Sequence, residues 1–456
     1  LQRIGLAGAD KSAIFFKPGQ GRGQAAGWNE CSDIRGCCDI VAEKAISLKK
    51  LSSASIGLNR TVAALSVARL ADALGNSLLF VVIPLYVAKL PAPWFPWSDE
   101  MRAGFLISLY GFVNALIQPV AGALSDRVNK RKPFILAGLV LMGLGTLLFV
   151  SAGRFADLVV LRAIQGFGVA LTIPASMALM ATASSHKTRG GSMGIYSTSR
   201  MAGFATGPLI GGFLYDRFGF DPAFYIGAAL IAVALILVQL MVRDIPQQDA
   251  GRPVRRFQVF DRRLLSAGIL GAALSTFMMA GAFAMMTPLE ARFNARLHET
   301  ALDFGIAFSA LLASRLVLQI PIGRLSDRFG RKPFIIGGLL LMGFSTAVLG
   351  EARSSFELIW LRVIQGAGAA GIAAPAFALA ADLAHRGGEA RQMSVITMGF
   401  GLGIATGPFL AGLLAGADFD LPFVLVGALL VISAWVIYRK VPETVGQKSE
   451  IAAEPN

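Results

Sequence analysis

Charged side chains inside otherwise apolar stretches are the residues of this sequence that could do chemistry. Asp72 lies in such a stretch, and Arg69 precedes it by three residues, which places both on one face if the stretch is helical. An ionisable group there costs roughly 2.5–3.5 kcal/mol at mid-helix on insertion scales. One reading is a self-satisfied ion pair that makes insertion tolerable. The other is a carboxylate that exchanges a proton or meets a cationic solute. Burial and Arg69 act on its proton in opposite senses, so residue types alone leave both open. Against this one acid stand Arg162, Arg200, Arg315 and Arg362. Arg200 and Arg315 could line a cavity for an anionic substrate or pair with backbone carbonyls, and this excess of positive charge speaks against a simple cation-extruding pump. Asn76, Asn114, Gln118 and Gln319 could hydrogen-bond a solute or join helices. Phe277, Met278, Met279, Phe283, Met285 and Met286 could form an adaptable apolar wall or plain core. Catalysis finds no support. His186, His298 and His385 fall between the apolar stretches, no Gly-x-x-x-x-Gly-Lys occurs, and Cys31, Cys37 and Cys38 fit no metal-ligand spacing. The expectation is a non-enzyme without metal or cofactor.

The elements that must position these residues are membrane spans. The hydrophobic fraction is 55%, only 15% of residues are charged, and mean hydropathy is +0.62, so most segments lack the polar face of a water-exposed helix. Apolar runs near the length that crosses a ~30 Å hydrocarbon layer recur along the chain. Twelve spans are predicted, at 62–88, 103–123, 134–152, 158–180, 193–215, 223–242, 264–289, 301–322, 334–350, 356–380, 393–416 and 421–438. The net charge of +14 resembles a nucleic-acid footprint at first sight. Its Lys and Arg, however, gather in alternate loops: 18 in the loops after spans 2, 4, 6, 8 and 10, against 7 in the opposite set. That asymmetry sets topology, placing both termini and the 243–263 connection in the cytoplasm, and it argues against a nucleic-acid partner. The expected division is a polar leader over 1–60, a six-helix bundle over 61–242, a linker over 243–263, a second six-helix bundle over 264–440 and a tail over 441–456. The leader does not read as a signal peptide, and its lack of Met raises the expectation that it is partly spurious.

The two halves repeat at an offset of 200. Leu161-Arg162-Ala-Ile-Gln165-Gly166 recurs as Leu361-Arg362-Val-Ile-Gln365-Gly366, and Gly203-Phe-Ala-Thr-Gly207-Pro208 recurs as Gly403-Ile-Ala-Thr-Gly407-Pro408. With six spans in each half, the repeats lie parallel in the membrane. A basic stretch also occurs twice, at Gly122–Pro133 and Gly323–Pro333, each expected to end one span and turn into the next. Asp126 and Asp327 could pair with nearby Arg in one state and release it in another.

These motifs resemble the major facilitator superfamily of secondary transporters over about residues 60–440. The second basic copy fits that family's loop signature in full through Gly323, Leu325, Asp327, Arg328, Gly330, Arg331 and Lys332. The first keeps Gly122, Leu124, Asp126 and Arg127 but carries an extra residue in its turn. Arg162, Gln165 and Gly166 are similar to the fourth-helix signature. Gly203, Gly207, Pro208, Gly211 and Gly212 are similar to the fifth-helix signature of drug/proton antiporters. The resemblance implies an all-α polytopic fold with twelve transmembrane helices in two six-helix repeat bundles, and alternating access of one small-molecule site. It also implies proton-driven efflux of amphipathic compounds from a monomer in the plasma membrane. Uptake or exchange of an organic anion or sugar-like metabolite, and a transporter-like receptor or scaffold, are the other expectations.

Overall fold

The computed structural model describes residues 58–128, 130–184, 188–244, 266–383 and 389–444. The leader, most of the linker and most of the tail lie outside the described residues, as does Asn129 in the first basic turn.

Twelve membrane-length helices, and no strand, make up the described chain. They are α1 (Arg60–Val87), α2 (Asp99–Val128), α3 (Lys132–Leu148), α4 (Phe155–Ala183), α5 (Arg189–Phe218), α6 (Phe220–Met241), α7 (Ala267–Leu297), α8 (Ala301–Phe329), α9 (Arg331–Val348), α10 (Ser355–Asp382), α11 (Glu389–Ala415) and α12 (Leu421–Lys440). Eleven are long and apolar enough to cross a bilayer. The twelfth, α5, has the length at 30 residues, but its Gly, Ser, Thr and Arg dilute its apolar character.

Several helices outrun their expected ends. α2 continues past 123 to Val128, α8 past 322 to Phe329, and α7 past 289 to Leu297 through a short 3-10 turn at Thr287–Leu289. Charge ends an apolar run without ending backbone hydrogen bonding, so the helices continue beyond their apolar cores. α8 stops where Gly330 takes φ +109°, open to glycine alone at little cost. Gly122 and Gly323 therefore sit inside helices rather than ending them, against α4 and α10. A Cβ at Gly122 would lie 3.4 Å from Pro174, and one at Gly323 would lie 3.5 Å from Ala374.

Each half has its own apolar core, with Ile135, Leu139 and Val169 in the first and Ile335, Leu339 and Ile372 in the second. Another cluster bridges the halves, joining Phe80 and Val81 of α1 to Phe283, Phe304 and Phe308 of α7 and α8. The bridge continues along two antiparallel helix pairs related by the repeat. α5 runs against α8, where a Cβ at Gly212 would fall 2.7 Å from the Cα of Leu302. α11 runs against α2, where a Cβ at Gly412 would fall 3.0 Å from the Cα of Met101. Only glycine permits backbones this close. Polar groups seal the same end: Asp216 of α5 accepts from the amides of Ala301 (3.2 Å) and Leu302 (2.9 Å), capping α8. Arg292 Nε meets Glu100 Oε1 at 2.6 Å. Towards the end that bears the basic loops, Leu116 and Val120 of α2 and Val317 and Ile320 of α8 stand exposed.

Candidate functional site

Asp72 and Arg69 are both buried in α1 and form an ion pair through Arg69 Nη1 and Asp72 Oδ2. The pair is incomplete: Asp72 Oδ1 and Arg69 Nε have no hydrogen-bond partner among the described residues. Tyr196 of α5 lies over the guanidinium, its ring centroid 6.0 Å from Arg69 Cζ. One turn along α1, Asn76 Nδ2 donates to Tyr110 Oη of α2 at 2.8 Å. Beside the ion pair is a cavity of about 10 Å³ lined by Leu65, Arg69, Asp72, Thr172, Ser176 and Tyr196. That is room for one water molecule beside a carboxylate. A proton acceptor thus lies next to a small void of mixed polar and apolar lining inside the first half.

Arg200 and Arg315 face the seam between the halves from α5 and α8. On the α5–α8 pair, Gly212 is level with Ala301 and Pro208 with Gly305. Each turn down α5 is matched by a turn along α8 in the opposite direction, which brings Arg200 and Arg315 to nearly the same level. The charge of Arg200 acts on Arg315, and those of Arg69 and Asp72 act on Arg200. Arg200 stacks over Phe204 at 5.2 Å and Arg315 over Phe400 at 6.0 Å. Neither forms an ion pair with a described residue, and each has a buried Nε without an acceptor. Asn114 Oδ1 is buried and unpartnered as well.

The duplicated fourth- and tenth-helix signatures build two copies of one hydrogen-bond chain. Arg162 Nη1 donates to Gln165 Oε1 at 2.9 Å, and Gln165 Nε2 donates to Thr146 Oγ1 at 2.8 Å. In the second half Arg362 donates to Gln365 at 2.6 Å, and Gln365 donates to Thr346 at 2.8 Å. Both arginines are buried without a carboxylate partner, stacking instead on aromatic faces: Arg162 on Tyr110 at 5.3 Å, Arg362 on Phe308 at 5.0 Å. Gly166 and Gly366 lie against the backbones of α2 and α8, at Tyr110 and Leu311.

At the basic-loop end, Arg331 pairs with Asp327, reaches Asp382 Oδ2 at 3.4 Å and donates to Ser326 Oγ at 2.9 Å. Arg127 and Arg328 are exposed, and the Asp126 side chain lies outside the described residues. The residues after α6 and α12 complete this region. Asp244 Oδ1 accepts from the amides of Arg131 and Lys132, both at 2.9 Å. Glu443 accepts from those of Arg331 at 2.9 Å and Lys332 at 3.0 Å. The Pro442-Glu443-Thr444 tripeptide is thus the second copy of a helix cap.

In the fifth-helix signature, Gly203, Gly207 and Gly211 pack on α1 at Leu70, Ser77 and Leu78, whereas Gly212 and Pro208 turn to α8. One glycine stripe therefore serves two neighbours.

Sequence reasoning passed over Glu290. It lies one residue beyond the expected end of span 7, yet it is fully buried and neither carboxylate oxygen has a partner among the described residues. Its neighbours Leu289 and Phe293 belong to the apolar cluster that bridges the halves, and Asp216 and Tyr215 of α5 are near enough to interact with it. The signal was in the repeat. Aligning Pro84 with Pro288 sets Tyr86 opposite Glu290, and Tyr86 Oη satisfies itself on the carbonyls of Phe149 (3.2 Å) and Ala152 (3.1 Å).

Comparison with known proteins agrees with this architecture. The chain is 25% identical over 346 residues to the multi-drug resistance efflux pump PmrA homolog of Lactococcus lactis, covering 75% of this chain and 84% of that protein. It is 28% identical over 301 residues to multidrug resistance protein MdtG of Yersinia enterocolitica, covering 64% and 71%. In fold it resembles a bacterial homolog of the human lysosomal transporter Spinster, with a TM-score of 0.69 at 17% identity over 83% of this chain and 96% of that one. The sequence profile of the Major Facilitator Superfamily matches residues 65–296 and again 269–455, one match for each half, and the chain is a member of that superfamily.

Proposed function

We propose that this chain exports small amphipathic compounds across the plasma membrane in exchange for protons, by alternating access between its two six-helix bundles. The observation that carries the reading is the position of its contacts. The halves are held together at one end by a helix cap, an ion pair and glycine contacts, and exposed apolar residues stand at the other. Contacts of this kind separate at modest cost, so the closed end can open as the other closes. The relatives' names, which describe multidrug efflux, support export rather than uptake. The excess of Lys and Arg in the opposite loops supports a cytoplasmic location for both termini and for the end that bears those loops.

Asp72 is the proton carrier in this reading. Its carboxylate is buried with one oxygen unpartnered beside a void large enough for water. Arg69 offers a competing counter-charge when the proton leaves. Arg200, Arg315, Asn76 and Asn114 line the solute path, Asp327, Arg328 and Arg331 act at the basic-loop gate with Gly122, Asp126 and Arg127 as their counterparts, and no cofactor takes part. The energy source is the proton gradient, and one chain is the working unit.

The test is pH-driven efflux of a fluorescent amphipathic dye from proteoliposomes. Asp72→Asn and the double variant Arg69→Gln/Asp72→Asn, which removes both members of the pair, are expected to lose gradient-driven flux while dye binding persists. Gradient-driven flux at the parent rate in the folded double variant would remove Asp72 from the coupling.

A further inference from the structure

We propose that Arg200 and Arg315 form a two-pronged site between the halves for the anionic headgroup of an amphipathic solute. The proposal rests on the transport reading only in taking this interface as the solute path.

Two guanidinium groups lie at nearly the same level of the α5–α8 pair, and the charge of Arg200 reaches Arg315. Among the described residues no carboxylate pairs with either. Asp72 is paired with Arg69 on α1 and lies near enough for its charge to act on Arg200, without a hydrogen bond to it. Two like charges in a medium of low dielectric repel strongly unless an anion or water lies between them. Each guanidinium also keeps a buried Nε–H without an acceptor. The site therefore offers charge and unfilled donors of the same sign.

The repeat shows that packing does not demand this arrangement. The matching seam between α2 and α11 carries Asn114 and Phe400 where α8 and α5 carry Arg315 and Arg200. A neutral amide and an aromatic ring make that seam, with the same glycine contacts at its end. The two arginines are thus additions to a seam that closes without them.

The surroundings fix the rest of the ligand. Phe204 and Phe400 are partly exposed aromatic side chains against Arg200 and Arg315 respectively. A solute with an apolar body and a planar or tetrahedral oxyanion fits this combination, because guanidinium binds carboxylate, sulfonate or phosphonate oxygens through paired N–H donors. One prong comes from each half, so a bound anion joins the halves at mid-membrane. An amphipathic cation meets two like charges at the same place.

The experiment compares three probes that share a ring system: naphthalene-2-sulfonate, naphthalene-2-methanol and naphthalen-2-ylmethylammonium. Binding is measured on the purified full chain in nanodiscs of zwitterionic lipid. The sulfonate is expected to bind about tenfold or more tighter than the alcohol, with the ammonium weakest. Arg200→Gln and Arg315→Gln are each expected to lower the sulfonate-to-alcohol affinity ratio about tenfold, and the double variant to bring it near one. The lysine replacements, which keep charge but not the fork, should retain part of the preference. Taking the ratio within each variant separates loss of the site from loss of fold, since misfolding weakens both probes. A parent ratio near one, or a ratio unchanged in both glutamine variants, overturns the proposal. Arg-dependent sulfonate binding without gradient-driven flux of any probe would uphold the site and defeat the transport reading. Gradient-driven flux of a cationic dye with a sulfonate ratio indifferent to both arginines would do the reverse.

Discussion

Gly212→Ala tests whether the closed end is held by backbone contact. A Cβ there would lie 2.7 Å from the Cα of Leu302 and from the carbonyl carbon of Ala301. Carbon atoms prefer about 3.5–4.0 Å, so the helices must part by nearly an ångström. Neither atom belongs to a side chain that can swing away. Overpacking of this kind costs about 1–3 kcal/mol, and the gain of alanine over glycine in a helix cancels because α5 is helical in both states. The full cost of roughly 1–3 kcal/mol lowers the closed-to-open ratio about 5–150-fold. Gly401→Ala on α11 is the control, because nothing lies within 4 Å of a Cβ there. The reporter is Phe304→Cys, fully buried in the bridging cluster, with Cys31, Cys37 and Cys38 replaced by serine. When opening is fast relative to labelling, the maleimide rate follows the open population. Gly212→Ala should raise that rate about 5–150-fold, and Gly401→Ala should leave it unchanged. Equal rates in the two variants, with both eluting as folded protein, would refute the contact argument.

Asp72→Asn alone leaves Arg69 buried and unpaired, a loss of about 3–5 kcal/mol that thermal unfolding should register. Arg69→Gln/Asp72→Asn should recover most of it, and an equal loss in both would mean that the pair does not stabilise the fold. Glu290 has neither donor nor cation to compensate a charge, so Glu290→Gln should keep the parental melting temperature. Glu290→Lys should lower it by the equivalent of several kcal/mol, since it buries a cation without a partner, and a tolerated lysine would show that this corner is wet. Asp244→Ala and Glu443→Ala each remove an acceptor from a helix start and should cost about 1 kcal/mol apiece by thermal unfolding. A much larger loss in only one would break the symmetry on which the caps are matched.

Much of this architecture was written in period and composition. Apolar length located the twelve spans, and the 200-residue offset matched Arg162 with Arg362 before their identical hydrogen-bond chains were visible. Helix ends were less legible, because hydropathy reports burial in lipid while a helix ends where its hydrogen bonds do. α8 therefore runs on to Gly330 through a charged signature that reads as a turn. Glu290 was missed for the same reason, falling just past an apolar run that ended before its helix did. The convergence of Arg200 and Arg315 depends on which helices pair and in what register. No local pattern contains that, although Gly212 and Gly305 mark the register once the pairing is known.

The caps on α3 and α9 have a mechanical consequence. Each acid stands just after the last helix of its own half and grips the helix that follows the basic signature. Each bundle is therefore buckled from its last helix back to its third, and the buckle stays inside the bundle. A pull on the chain beyond Asp244 reaches the start of α3 directly, without first crossing the seam between the halves. The connection between bundles can thus act as a lever on the gate of the first half, and the second half carries the same buckle.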